Sequence, residues 1–242
     1  MNELIEKGIG LFPQYFRDLI ALLTGPKRFV AGRLHEEGLF ERSLLFLAFS
    51  YASGCILKAP TYTGNLLVEL GAGAAFTLAQ AAGFGIAIWF AWRAVGGRGT
   101  LVESLVISFY YAGVIELLAT FMYVSFMGTL RAGDVSLYTR LLEAARNGAM
   151  VQLVLDADRD RVLDSRPFQL ALLIALPFMA AFAAWVIAGW GAYRAQHGVG
   201  RLRSVLAFFL FVVFSLPVAA LTFVIANGLV TNGSQERNTL HP

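Results

Sequence analysis

The chain reads as an all-α membrane protein: five transmembrane helices preceded by an amphipathic helix at the membrane interface. Three observations predict this. Long apolar stretches run through 44–57, 66–92, 101–127, 168–193 and 205–229. Four of them exceed the roughly 20 residues that carry a helix across about 30 Å of hydrocarbon. Mean hydropathy is +0.65, with 57% hydrophobic and only 14% charged residues, which no water-soluble core of this size explains. The alternation of a barrel strand is absent, so the backbone must satisfy its polar groups within helices.

The amino-terminal segment, residues 1–38, comes first. Ile5, Ile9, Phe12, Phe16, Ile20 and Leu23 recur every three or four residues, with Glu6, Lys7, Gln14, Arg17 and Asp18 on other faces. That periodicity predicts an amphipathic helix starting around Pro13 and stopped at Gly25-Pro26. Such a helix lies in the interface plane with its apolar side down, or packs on the spans. Glu3, Glu6 and Asp18 interrupt the segment too often for a cleavable signal peptide.

The membrane domain follows over 39–230. The first span is the shortest and reaches a workable length if it begins near Leu39. The single Cys55 lies in it and reads as a small packing residue. In the second span Gly71, Ala75, Ala79, Gly83 and Ala87 recur every four residues, and Gly73, Thr77, Ala81 and Gly85 form a parallel stripe. Small residues let helices approach closely in lipid, so this span is expected to be central and its first stripe a helix-packing interface.

The third span carries Glu116 near its middle, on one face with Ser104, Ser108, Ala112 and Thr120. A carboxylate facing lipid costs roughly 2.5–3.5 kcal/mol on insertion scales, so Glu116 should face the bundle. Gln80 in the second span is its expected partner and Ser215 in the fifth a second candidate. Glu116 then either serves a proton, cation or polar-substrate pathway, or joins helices by hydrogen bonds. Pro177 and Pro217 predict kinks in spans four and five. Trp89, Trp92 and Tyr193 close their spans as interfacial anchors, with Trp185 and Trp190 as weaker members.

Between spans three and four, residues 130–167 form the one sizeable extramembrane connection. Val135, Tyr138, Leu141, Leu142 and Ala145 predict a short amphipathic helix in it. The acids Asp156, Asp158, Asp160 and Asp164 resemble the opening of a calcium loop, but the sixth-position Gly is missing and Pro167 stands where a bidentate Glu belongs. A solvated loop with internal ion pairs fits better, and no metal site is expected. Residues 231–242 read as a short, mobile polar tail.

With five spans the two ends face opposite sides. Eleven basic residues fall on the amino-terminal side and eight on the other, six of the eight in the 130–167 connection. Positive charge stays inside, so the amino terminus is expected in the cytoplasm. The net charge of +3 therefore points to lipid headgroups rather than to nucleic acid.

Catalytic signatures are missing. There is no G-x-x-x-x-G-K-[ST], H-E-x-x-H or G-x-S-x-G, and His35, His197 and His241 stand outside the apolar stretches. Gly96-Gly97-Arg98-Gly99-Thr100 joins two membrane helices and reads as a tight turn. A non-enzymatic protein without cofactors is expected.

Three features are shared with a known family. Thr24-Gly25-Pro26-Lys27-Arg28-Phe29 precedes the first span, the Gly96–Thr100 turn leads into the third, and a Trp-rich stretch from Trp185 to Tyr193 ends the fourth before a short basic turn. The chain thereby resembles the Yip1-domain family of five-span membrane proteins in its bacterial form, over roughly residues 20 to 230. Tyr110-Tyr111 is followed by Ala112-Gly113, where the family often has a proline. The resemblance implies a scaffold or accessory subunit of a bacterial inner-membrane complex, binding lipids and other membrane proteins or itself, with no catalytic residue to transfer. The competing expectation is a permease or lipid-handling subunit built on Glu116.

Overall fold

The computed structural model describes residues 2–33, 36–59, 66–146 and 159–239. Its described residues are helical with short turns: α1 (Asn2–Thr24), α2 (Pro26–Arg33), α3 (Leu39–Lys58), α4 (Leu66–Ala94), α5 (Leu101–Gly133), α6 (Val135–Arg146), α7 (Arg159–Asp164), α8 (Arg166–His197) and α9 (Arg201–Thr239). Five of these, α3, α4, α5, α8 and α9, are long and apolar enough to cross a membrane. The protein is a multi-pass membrane protein.

Three of the spans start or stop for a local reason. Gly38 turns the chain into α3 in the left-handed region at φ 72°. Thr100 caps α5, accepting from the Glu103 amide while the Glu103 carboxylate accepts from the Thr100 amide. Ser165 caps α8, and Gly198, at φ 63°, ends it. Pro177 and Pro217 are carried inside α8 and α9.

The hub is α5, not α4 as the small-residue stripes suggest. Half of the apolar window of α5 is buried, against 28% for α4 and 6% for α9. The reason is close approach at α5's own positions. A Cβ on Gly113 would stand 2.7 Å from the Phe46 ring of α3, and one on Gly189 of α8 would stand 2.6 Å from the Tyr111 ring. α3 runs parallel to α5, pairing Phe40 with Phe109 and Gly54 with Thr120. α4 and α8 run antiparallel to it, through Gly85–Ser108 and Tyr193–Ser104 respectively. α9 hangs on the far side of α4, where Gly83 admits Val218.

The amphipathic helix begins at Asn2 and runs through Pro13, earlier than the sequence suggests, and it ends at Thr24 as expected. Phe12, Phe16, Ile20 and Leu23 are exposed, ready for lipid. The opposite side packs on the spans, where Tyr15 meets Phe46 and shares a hydroxyl–hydroxyl hydrogen bond of 3.2 Å with Ser50. Burial raises the pKa of the Tyr15 hydroxyl, outweighing the hydrogen bonds to Ser50 and Ser53.

At the end of the bundle away from α1, α5 and α8 continue together and enclose a second small core with α6 and α7, including Met127, Leu130, Leu141 and Phe168. The acidic run begins in residues 151–158, which lie outside the described residues, and its second half forms α7. The expected polar tail continues α9 as helix to Thr239; between Pro217, which the helix already carries, and Pro242 no further proline interrupts it.

Candidate functional site

The sequence-predicted residues separate into two places. The first is an ion pair inside the bundle. Glu116 does face other helices, but its partner is neither Gln80 nor Ser215. Lys58, at the last turn of α3, donates from Nζ to Glu116 Oε1 at 2.8 Å, and Thr120 Oγ1 donates to the same oxygen at 3.4 Å. Gly54, one turn before Lys58, makes room: a Cβ there would lie 2.8 Å from Thr120 Oγ1 and 3.2 Å from Glu116 Oε1. Both charged side chains are mostly buried, Lys58 at 25% and Glu116 at 20% exposure.

Gln80 is half-buried on α4 and is not a partner of Glu116. Ser215 donates back to Val212 of its own helix on an exposed side of α9. Ser108 does join helices, donating to the Ala81 carbonyl of α4 at 2.6 Å. The carboxylate therefore stands level with the end of the shortest span rather than midway through a symmetric slab. Counting along α5 alone hid this, because α5 has 33 residues and α3 only 20.

The second place is a lateral groove of about 820 Å³ between α3 and α4. Ala48, Tyr51 and Cys55 form one wall, and Gly71, Ala75 and Leu78 the other. It explains what becomes of the small-residue stripe. Ala87 is buried and Gly83 seats Val218 of the chain's own α9, whereas Gly71, Ala75 and Ala79 are exposed. The glycines of the parallel stripe are consumed internally, since a Cβ on Gly73 would collide with the Tyr51 hydroxyl and one on Gly85 would stand 2.9 Å from Ser108 Cβ, while its Thr77 lines the groove.

Two clusters escaped the sequence. Asp18 was one polar residue among several on an amphipathic helix, yet it is 3% exposed. It forms an ion pair with Arg33 of α2 and accepts from the Tyr110 hydroxyl at 3.4 Å. Burial alone would lower the Arg33 pKa, but the Asp18 hydrogen bond and charge, with Glu36, hold it above its ordinary value. The Arg33 guanidinium also lies 4.7 Å above the Phe29 ring. Alternating charges within one helix do not reveal which of them will meet a cation on the next.

His197 is the other, and it is buried at the end of α8 rather than lying outside the packed interior. Its Nδ1 accepts from the Gly99 amide at 3.2 Å, its Nε2 faces Ser104 Oγ at 3.4 Å, and its ring stacks on Trp92 at 5.5 Å. Gly97 and Gly99 permit this, because a Cβ on either would come within 3 Å of the imidazole. Trp92 and Tyr193 accordingly point into the bundle instead of anchoring it in headgroups, and Trp185 is buried against Tyr111. Trp89 reaches the Gly99 carbonyl at 3.2 Å.

No family model, no curated protein and no solved structure matches this chain. Among the described residues no group of His, Cys, Asp and Glu is placed to hold a metal ion. What the arrangement offers chemically is an apolar lateral groove lined by small residues, and beside it a paired cation and carboxylate.

Proposed function

We propose that this chain is a non-catalytic scaffold or accessory subunit of a membrane complex, holding a transmembrane helix of a second polypeptide in the α3–α4 groove. One observation carries the reading: the groove presents Ala48, Ala52, Gly71, Ala74 and Ala75, while the continuation of the same stripe already seats the chain's own α9 at Gly83. Small residues along a cleft favour a second helix, because association in lipid gains from close backbone approach. The resemblance to five-span Yip1-domain proteins, read from the sequence alone, implies the same character. The excess of arginines at the short turns supports an amino terminus in the cytoplasm, and the Yip1 resemblance implies a bacterial inner membrane.

A photo-activated cross-linker placed at Ala75 in native membranes tests this. A protein adduct recovered in mild detergent is expected, from another subunit or from a second copy. Ala75→Ile should abolish the adduct made from a cross-linker at Ala48. Recovery of lipid adducts alone would refute the docking role.

The second reading is a permease or lipid-handling subunit, favoured by the Lys58–Glu116 pair within an apolar bundle. It requires loss of transport in Glu116→Gln with assembly intact. A silent substitution removes it.

A further inference from the structure

The end of the bundle that carries the two short turns holds a second opening, unrelated to the groove. Residues 95–100 join α4 to α5, and residues 198–200 join α8 to α9. His197 locks the two together: its carbonyl accepts from the Arg98 amide at 3.3 Å, and its Nδ1 from the Gly99 amide. Between them lies a cleft of about 640 Å³, lined by Gly96, Gly198 and Gly200 together with Arg98, Arg201 and Arg203. A Cβ on Gly198 or Gly200 would meet nothing within 4 Å, so backbone lies open there. Gly96, at φ 89°, and Gly198, at φ 63°, also hold conformations that side chains disfavour.

The charge is one-sided. Arg93, Arg98, Arg194, Arg201 and Arg203 cluster on these turns, and among the described residues none of the five is ion-paired. The nearby Glu103 already accepts from the Thr100 amide and the Gln196 amide group. Of the other described acids at this end, Asp18 is taken by Arg33, and Glu36, Glu37 and Glu41 gather at the α2–α3 corner, where Glu36 pairs with Arg33 and Arg42. Arg203 reaches across the cleft, with Nη1 3.5 Å from where a Cβ on Gly96 would stand. Leu202, between two of these arginines, is 86% exposed.

We propose that this paired-turn cleft binds the phosphate of an anionic phospholipid headgroup. Guanidinium forks match phosphate oxygens in bidentate fashion. Anionic leaflets attract basic segments at the membrane surface. A bare apolar side chain such as Leu202, set among the arginines, is suited to the acyl region beneath a headgroup and not to a soluble phosphate compound.

The test uses the purified full chain in mild detergent, titrated with phosphatidylglycerol, phosphatidylcholine and inorganic phosphate, with bound lipid read by native mass spectrometry. Phosphatidylglycerol should bind at least about tenfold more tightly than phosphatidylcholine, and R98Q/R203Q should remove that preference, as loss of a charge-assisted contact implies. R98K/R203K, which keeps the charges but loses the forks, should fall between. R131Q/R166Q, at the other end, should leave binding unchanged. Equal binding of the two lipids by the unaltered chain, or equal loss in R131Q/R166Q, overturns the site. Displacement of phosphatidylglycerol by millimolar inorganic phosphate overturns the lipid source.

Discussion

Replacing Lys58 with methionine removes the cation from the α3–α5 pair and leaves the Glu116 carboxylate among apolar neighbours. At 2.8 Å the gross attraction is about 6 kcal/mol for an effective dielectric constant near 20. Desolvation of the two ions offsets most of it. Breaking a fully buried pair costs about 3–5 kcal/mol, and with 25% and 20% of the side chains exposed the loss here should be about 2–3 kcal/mol. Glu116→Leu alone strands Lys58 instead, at a lower cost, because the lysine stem can carry its ammonium to the membrane surface. The double variant K58M/E116L fills the same space with apolar atoms beside Gly54 and should unfold within about 1 kcal/mol of the original chain. Denaturant unfolding in detergent of all four proteins closes the cycle, and its coupling term isolates the pair. A coupling below about 0.5 kcal/mol would place the pair among surface contacts of little worth and refute its assignment as a join between the first and third spans.

Three further outcomes follow from the packing. His197→Phe keeps the stacking on Trp92 but leaves the Gly99 amide without its acceptor, so it should lower stability by about 1–3 kcal/mol in the same unfolding assay. Asp18→Leu strands the Arg33 guanidinium and loosens α1 by about 2 kcal/mol; faster trypsin cleavage after Arg17 reads this out, while the five spans stay protected. Gly83→Leu drives side-chain atoms into Val218, which a Cβ already meets at 2.8 Å, and should cost about 1–3 kcal/mol by parting α4 from α9. Cross-linking at the α3–α4 groove should persist in that variant.

Much of the fold was legible because the bilayer imposes a length. The expected start of the first span at Leu39 and the stop at Gly25-Pro26 coincide with helix ends, and the 135–145 periodicity became α6. The pairing of charges was not legible. Lys58 and Glu116 are 58 positions apart, and a lysine at a span end looks like any interfacial residue. A signal was present: Ser50, Gly54 and Lys58 share one face at intervals of four, as Glu116 and Thr120 do, and the two faces meet. The small-residue stripe showed where helices could approach without showing which would. Gly83 met the chain's own α9, whereas Gly71 and Ala75 stay exposed along the groove. His197 was hidden for a similar reason, since only the folded turn brings Gly97 and Gly99 against its ring.

The mismatch in helix length gives the molecule an uneven profile. α3, with 20 residues, rises about 30 Å, whereas α5, with 33, rises about 50 Å. Acyl chains bordering α3 thus meet a low wall, and those bordering the α5–α8 pair a tall one. A bilayer adjusts to such a step by thinning on one flank, at a fraction of a kcal/mol per ångström. The protein would tilt or dimple the sheet around it, and the Lys58 corner would be where water comes nearest to the Glu116 carboxylate.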